Sequence, residues 1–111
     1  MDTIIRYQKI IEKIIGEYAQ LRYSHGEVKR QTVFDREKNQ YLLMIVGIDS
    51  NKMVHGCIIH LEIIGDKVWI HRDGTEDGIA GELLAAGVPK EKIVLGFYHP
   101  ETREITEFAV C

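Results

Sequence analysis

Four histidines in the second half of the chain, His55, His60, His71 and His99, come nearest to carrying chemistry, while His25 stands apart. An imidazole can serve as a general base, a proton shuttle or a metal ligand near neutral pH. His60 and His71 flank the dipeptide Gly65-Asp66, which joins two apolar runs. Glycine in first place fits a two-residue hairpin turn. That turn sets a register: Ile64 opposite Lys67, Ile63 opposite Val68, Glu62 opposite Trp69, Leu61 opposite Ile70 and His60 opposite His71. Side chains directly opposite across such a pair sit about 5 Å apart at Cβ. Two imidazoles so placed could hold a divalent metal, with Glu62 or Asp73 as third ligand. The plainer reading is a cross-strand polar pair, because Cys-x-x-Cys spacing is absent and no third ligand is clearly placed. His60 and His71 therefore stay metal candidates only, and no catalytic residue or cofactor is assigned.

Other residue sets offer less. Cys57 near His55 or His60 could form a nucleophilic pair. Its parity with Ile59 and Leu61, however, turns it toward the core, away from His60. The acidic stretch at residues 73–78 resembles a calcium loop only superficially: position twelve from Asp73 is Leu84, not a bidentate Glu. It reads better as a turn whose Asp73 or Thr75 caps a following helix. Without a Gly-Lys-Ser/Thr ending it is no phosphate loop. On the face opposite Ile59, Leu61, Ile63, Val68 and Ile70 lie Ile58, His60, Glu62, Ile64, Trp69 and His71. This mix of aromatic, aliphatic and polar side chains suits a protein interface. His99, held extended before Pro100, is added to that candidate surface.

The elements that must position these residues follow from periodicity. Apolar residues Ile4, Ile5, Ile11, Ile14, Ile15, Tyr18 and Leu21 predict a helix over 3–21, capped by Asp2 or Thr3 and ended by Ser24-His25-Gly26. Alternation predicts a strand over 27–35. The nearly unbroken apolar run at 41–48 predicts a strand covered on both faces. Strands at 54–64 and 67–72 form the hairpin, a helix follows over 76–86 and stops at Gly87 and Pro89, and a strand covers 93–97. Pro100 to Arg103 reads as one helical turn, and 105–110 as an edge strand or packed extension. The fold class is α+β: an antiparallel meander of about five strands, with an N-terminal helix and a second helix before the last strand.

The chain has 111 residues and reads as one domain over 1–111. A hydrophobic fraction of 45% and a charged fraction of 28% are those of a folded protein. The net charge is −3, with acids interleaved among 14 basic residues. Tight DNA binding needs clustered cations that displace counterions, so any DNA contact is expected to be weak or indirect. The local basic excess is Arg22, Lys29, Arg30, Arg36 and Lys38. Two cysteines, Cys57 and Cys111, make no disulfide framework. With no signal-like leader and no membrane-length apolar run, the location expected is the cytoplasm.

Three stretches carry a resemblance: Val-His-Gly-Cys-Ile-Ile-His-Leu-Glu-Ile-Ile-Gly-Asp-Lys-Val-Trp-Ile-His-Arg-Asp-Gly-Thr-Glu-Asp-Gly-Ile-Ala from Val54, Val-Pro-Lys-Glu-Lys-Ile-Val-Leu-Gly-Phe-Tyr-His-Pro-Glu from Val88, and Thr-Glu-Phe-Ala-Val from Thr106. Together they resemble the XisI family, small cyanobacterial proteins named as controlling factors for excision of the fdxN element. The resemblance implies an accessory regulator rather than an enzyme. It implies a setting in which an XisF-like recombinase performs the DNA chemistry and an XisH-like, nuclease-fold protein is the partner. A homodimer is expected as well. Two other functions remain open on the residues: a metal-binding module or metal-dependent enzyme using His60 and His71, and a directionality factor that touches DNA directly.

Overall fold

The computed structural model describes residues 2–21 and 27–111. Helix α1 spans Asp2–Ala19. Tyr7, Ile11, Ile14 and Ile15 recur at helical spacing and are buried against the sheet. Ile5 and Leu21 leave that stripe and are 47% and 55% exposed. The stop expected at Ser24-His25-Gly26 lies outside the described residues; α1 already ends at Ala19, and Gln20 and Leu21 close a turn on Glu17 and Tyr18. Gln8 donates to Asn39 Oδ1 at 2.9 Å and Arg36 grips Glu12 at 2.8 and 2.9 Å, so α1 is tied to the first hairpin. The Arg36 guanidinium holds the Glu12 carboxyl below its usual range.

Among the described residues five strands form one sheet in chain order: β1 Glu27–Asp35, β2 Gln40–Asp49, β3 Lys52–Ile64, β4 Lys67–Asp73 and β5 Ile93–Leu95. Short turns join the first four, which are antiparallel. Asp35 Oδ1 accepts from the Glu37 and Lys38 amides in the first turn. Ser50 and Asn51, at φ 51 and 67, make the second. Gly65, at φ 63, opens the third, as the dipeptide predicts.

The fifth strand corrects the meander. β5 runs parallel to β4, so the sheet is mixed. Helix α2, Ile79–Ala85, lies between them, and its crossover carries the chain back so that it re-enters the sheet in the same direction. α2 starts three residues later than its periodicity suggests, because the Asp73 carboxylate organises the loop. One of its oxygens accepts from the Thr75 amide and hydroxyl, and the other accepts from the Ile79 amide at 2.8 Å. α2 ends as predicted at Gly87, φ 103, with Gly87 N donating to Leu84 O and Val88 N to Leu83 O. Asp73→Ala strips three donors of their acceptor and should cost about 1–3 kcal/mol, read as a lowered urea midpoint.

α1 and α2 share one face of the sheet, where Tyr41, Leu43, Ile59, Leu61, Ile63, Val68, Ile70, Ile93 and Leu95 meet them in a single core. β5 stops at Leu95 rather than residue 97, since Gly96 and Tyr98 turn back onto Val94 O and Leu95 O. A short helix α3, Pro100–Arg103, follows. The tail then runs beside β5, pairing Ala109 with Val94 in one parallel bridge. No described helix is long and apolar enough to cross a membrane.

Candidate functional site

The candidate site is the sheet face turned away from α1 and α2. Tyr41 and Leu43 point into the core. Alternation therefore puts Leu42, Met44, Val46 and Ile48 on the other face. The first three are half-buried and Ile48 is 49% exposed. Val33, opposite Leu42, is 47% exposed, and Met53, opposite Ile48, is 80% exposed. The expectation that β2 is covered on both faces thus needs correction: among the described residues the helices cover one face only.

Two bulges decide what else reaches this surface. Ile58 is the extra residue of β3, since Leu43 pairs with Ile59 and Met44 with Cys57. The bulge turns Ile58 to the helix side, where it packs against the core. Ile58 therefore leaves the candidate surface. By the same shift Cys57 sits opposite Met44 rather than with Ile59. Burial pushes the Cys57 thiol up, and its Sγ points 3.2 Å from Ile59 O.

His71 is the extra residue of β4. Leu61 pairs with Ile70 and His60 with Arg72, so the expected His60–His71 pairing is displaced by one residue. The other pairings, 61–64 with 67–70, hold as predicted. The bulge also sends Asp73 to the helix side to cap α2, so it is no ligand for the histidines.

The rings remain neighbours. His60 and His71 centroids are 4.9 Å apart, and Trp69 stacks on His71 at 5.9 Å and 28°. His60 Nε2 is hydrogen-bonded to Gln40 Oε1 at 2.7 Å, and His71 Nε2 to Glu62 Oε1 at 2.8 Å. Both Nε2 atoms are thus engaged by protein groups, and no cluster of three or more His, Cys, Asp or Glu that could hold a metal occurs among the described residues. Arg103 lies 5.1 Å over the Trp69 ring, a cation–π contact. Tyr98 O and Val110 O accept from that guanidinium. Gly96 permits this close layer: a Cβ there would stand 3.1 Å from His71 Nδ1, Ile70 O and the Trp69 ring. Ile64, 47% exposed, marks the rim. His99 is exposed, and its Nδ1 caps α3 by accepting from the Glu101 amide.

Arg103 and the apolar row of β2 escaped the sequence reading. Periodicity marked the β2 run but could not say which face lacked cover, and no local signal ties Arg103 to Trp69 across the tail. The basic set noted for DNA does not form one face either. Arg30 donates to Tyr18 O on the helix side, Arg36 is paired with Glu12, Lys29 lies on the opposite face, and Arg22 lies outside the described residues.

Burial lowers the His60 pKa from 6.5, and the neighbouring His71 adds to this while Glu62 opposes it. Folded His60 therefore binds a proton less readily than it does in the unfolded chain. Its stabilising contribution is complete above pH 6.5 and declines as pH falls through 6.5 toward the lowered value. Glu12, Asp66 and Glu107, all held below their ordinary values of 4.5, 3.8 and 4.5 by paired cations, act in a more acidic window. The melting temperature should fall between about pH 7 and pH 5.5, and His60→Gln, which keeps a partner for Gln40, should flatten that slope.

The family model for the XisI protein matches residues 1–110. The fdxN element excision controlling factor XisI from Anabaena variabilis ATCC 29413 superposes with a TM-score of 0.85 at 36% identity, over 98% of this chain and 99% of that one. A XisI-like protein from the same organism superposes with a TM-score of 0.88 at 33% identity, over 97% and 99%. No curated protein matches. On a family match spanning nearly every residue, and on two structures of the same architecture, the chain belongs to the XisI family.

Proposed function

We propose that this protein is a non-enzymatic controlling factor for excision of a DNA element, working in the cytoplasm by binding a protein partner on the open face of its sheet. The observation that carries this reading is strand β2, apolar on both sides but covered by α1 on one. A sheet face of Leu42, Met44 and Val46 gains by burial against another surface. Beside it stand Trp69 and Arg103, residue types enriched at binding hot spots. The likeness to an excision controlling factor supplies the biological setting.

The partner proposed is an XisH-like protein, with an XisF-like recombinase performing the strand chemistry. A net charge of −3 and the scattered cations favour action through protein rather than through DNA. Co-expression with an XisH-like protein from the same genome, followed by size-exclusion chromatography with light scattering, tests the proposal. A complex of stable stoichiometry supports it. Two separately eluting species at micromolar concentration would remove it.

A further inference from the structure

We infer that the outer edge of β1 pairs with β1 of a second copy of this chain, antiparallel and centred on Thr32. The inference is independent of the open-face reading. β1 is a terminal strand of 9 residues, paired with β2 along its length without a bulge. No described strand covers its other side. Such an edge exposes a row of unpaired amides and carbonyls, and proteins usually blunt it with proline, a bulge, charged side chains or a covering segment. The charges of β1 are of both signs, so they can pair across a two-fold axis instead of repelling a second strand. The sequence Glu-Val-Lys-Arg-Gln-Thr-Val-Phe-Asp has neither proline nor bulge. The opposite edge of the sheet contrasts with it: β5 has 3 residues and the tail pairs beside it at Ala109.

Charge selects the register. With Thr32 facing Thr32 of the second copy, Lys29 meets Asp35 twice, once on each side of the two-fold axis. Arg30 meets Phe34 on the helix side, and Gln31 meets Val33. Phe34 and Val33 are 38% and 47% exposed and available for the contact. Centring on Gln31 instead sets Glu27 against Asp35, two acids. Centring on Val33 sets Asp35 against Gln31 and leaves Lys29 and Arg30 with no opposite charge within the strand. Opposite charges across a strand pair stabilise it and like charges oppose it, so the Thr32 register is favoured over both neighbours. One oxygen of Asp35 also accepts from the Glu37 and Lys38 amides, which holds the carboxylate in place without neutralising it.

The test combines light scattering with disulfide trapping in a Cys57→Ala, Cys111→Ser background. The wild-type protein should run as a dimer of 12.8 kDa chains. Under mild oxidation Thr32→Cys should cross-link at least about tenfold faster than Gln31→Cys, whose Cα atoms would lie about 8 Å apart in this register, too far for a disulfide. Lys29→Glu should weaken dimerisation by about tenfold at low salt. Trp69→Ala should leave it unchanged. The Lys29, Gln31 and Thr32 variants alter exposed side chains on β1, and circular dichroism checks that every variant still folds. A monomer at about 100 μM overturns the inference. So does a dimer that traps Gln31→Cys as fast as Thr32→Cys, or one indifferent to Lys29→Glu.

Discussion

Trp69→Ala is expected to lower affinity for the XisH-like partner by about 30- to 1,000-fold, a loss of about 2–4 kcal/mol. Trp69 is half-buried within the chain and held in place by His71, stacked at 5.9 Å, and by the Arg103 guanidinium, 5.1 Å from the ring centroid. It therefore presents ring surface that a partner can bury without reorganising the tryptophan itself. Preorganised aromatic side chains at the centre of a patch carry a large part of binding energy. The core does not depend on Trp69, since the residues that pack α1 and α2 point the other way. The variant should remain folded, and titration calorimetry should record the loss in affinity at unchanged stoichiometry. An unchanged affinity would move the interface off this part of the sheet.

The largest effect on stability is expected from Gly47→Ala. A Cβ at Gly47 would lie 2.1 Å from Glu27 O and 2.6 Å from Val28 Cα. Both are backbone atoms of the neighbouring strand, so no side-chain rotation relieves the clash. The start of β1 must move away from β2, which breaks ladder pairs at Glu27↔Ile48 and Val28↔Gly47. The expected cost is about 2–4 kcal/mol. Gly81→Ala is the matched control. Gly81 lies within α2 with nothing near its absent side chain, so alanine there should stabilise by about 0.5–1 kcal/mol. Urea denaturation of the pair gives opposite shifts in midpoint if the close approach at Gly47 governs the hairpin.

Local rules made much of the fold legible. The pairing of residues 61–64 with 67–70 follows from Gly65, whose positive φ the turn requires. The stop at Gly87 follows from the same freedom at a helix end. The features that escaped are those decided at a distance. A bulge adds one residue without a mark in the alternation, and two of them rearranged the site: Ile58 went to the core and His71 shifted past His60. Asp73 looked like a possible ligand because the His71 bulge that turns it toward Ile79 is invisible to a period-two count. The direction of β5 depended on how α2 returns the chain, which the order of elements alone leaves open. The cation over Trp69 depended on the path of the tail.

The central claim is that a partner docks on the open face. An NMR titration with the XisH-like partner, following the Trp69 indole N–H and the methyl groups, tests it most directly, because methyls report the two faces of one sheet separately. Trp69, Leu42, Met44 and Val46 should shift or broaden together, while core methyls of Ile11, Ile15 and Leu83 stay in place. Perturbation confined to exposed positions on α1, such as Ile5, with the open face unchanged, would contradict it.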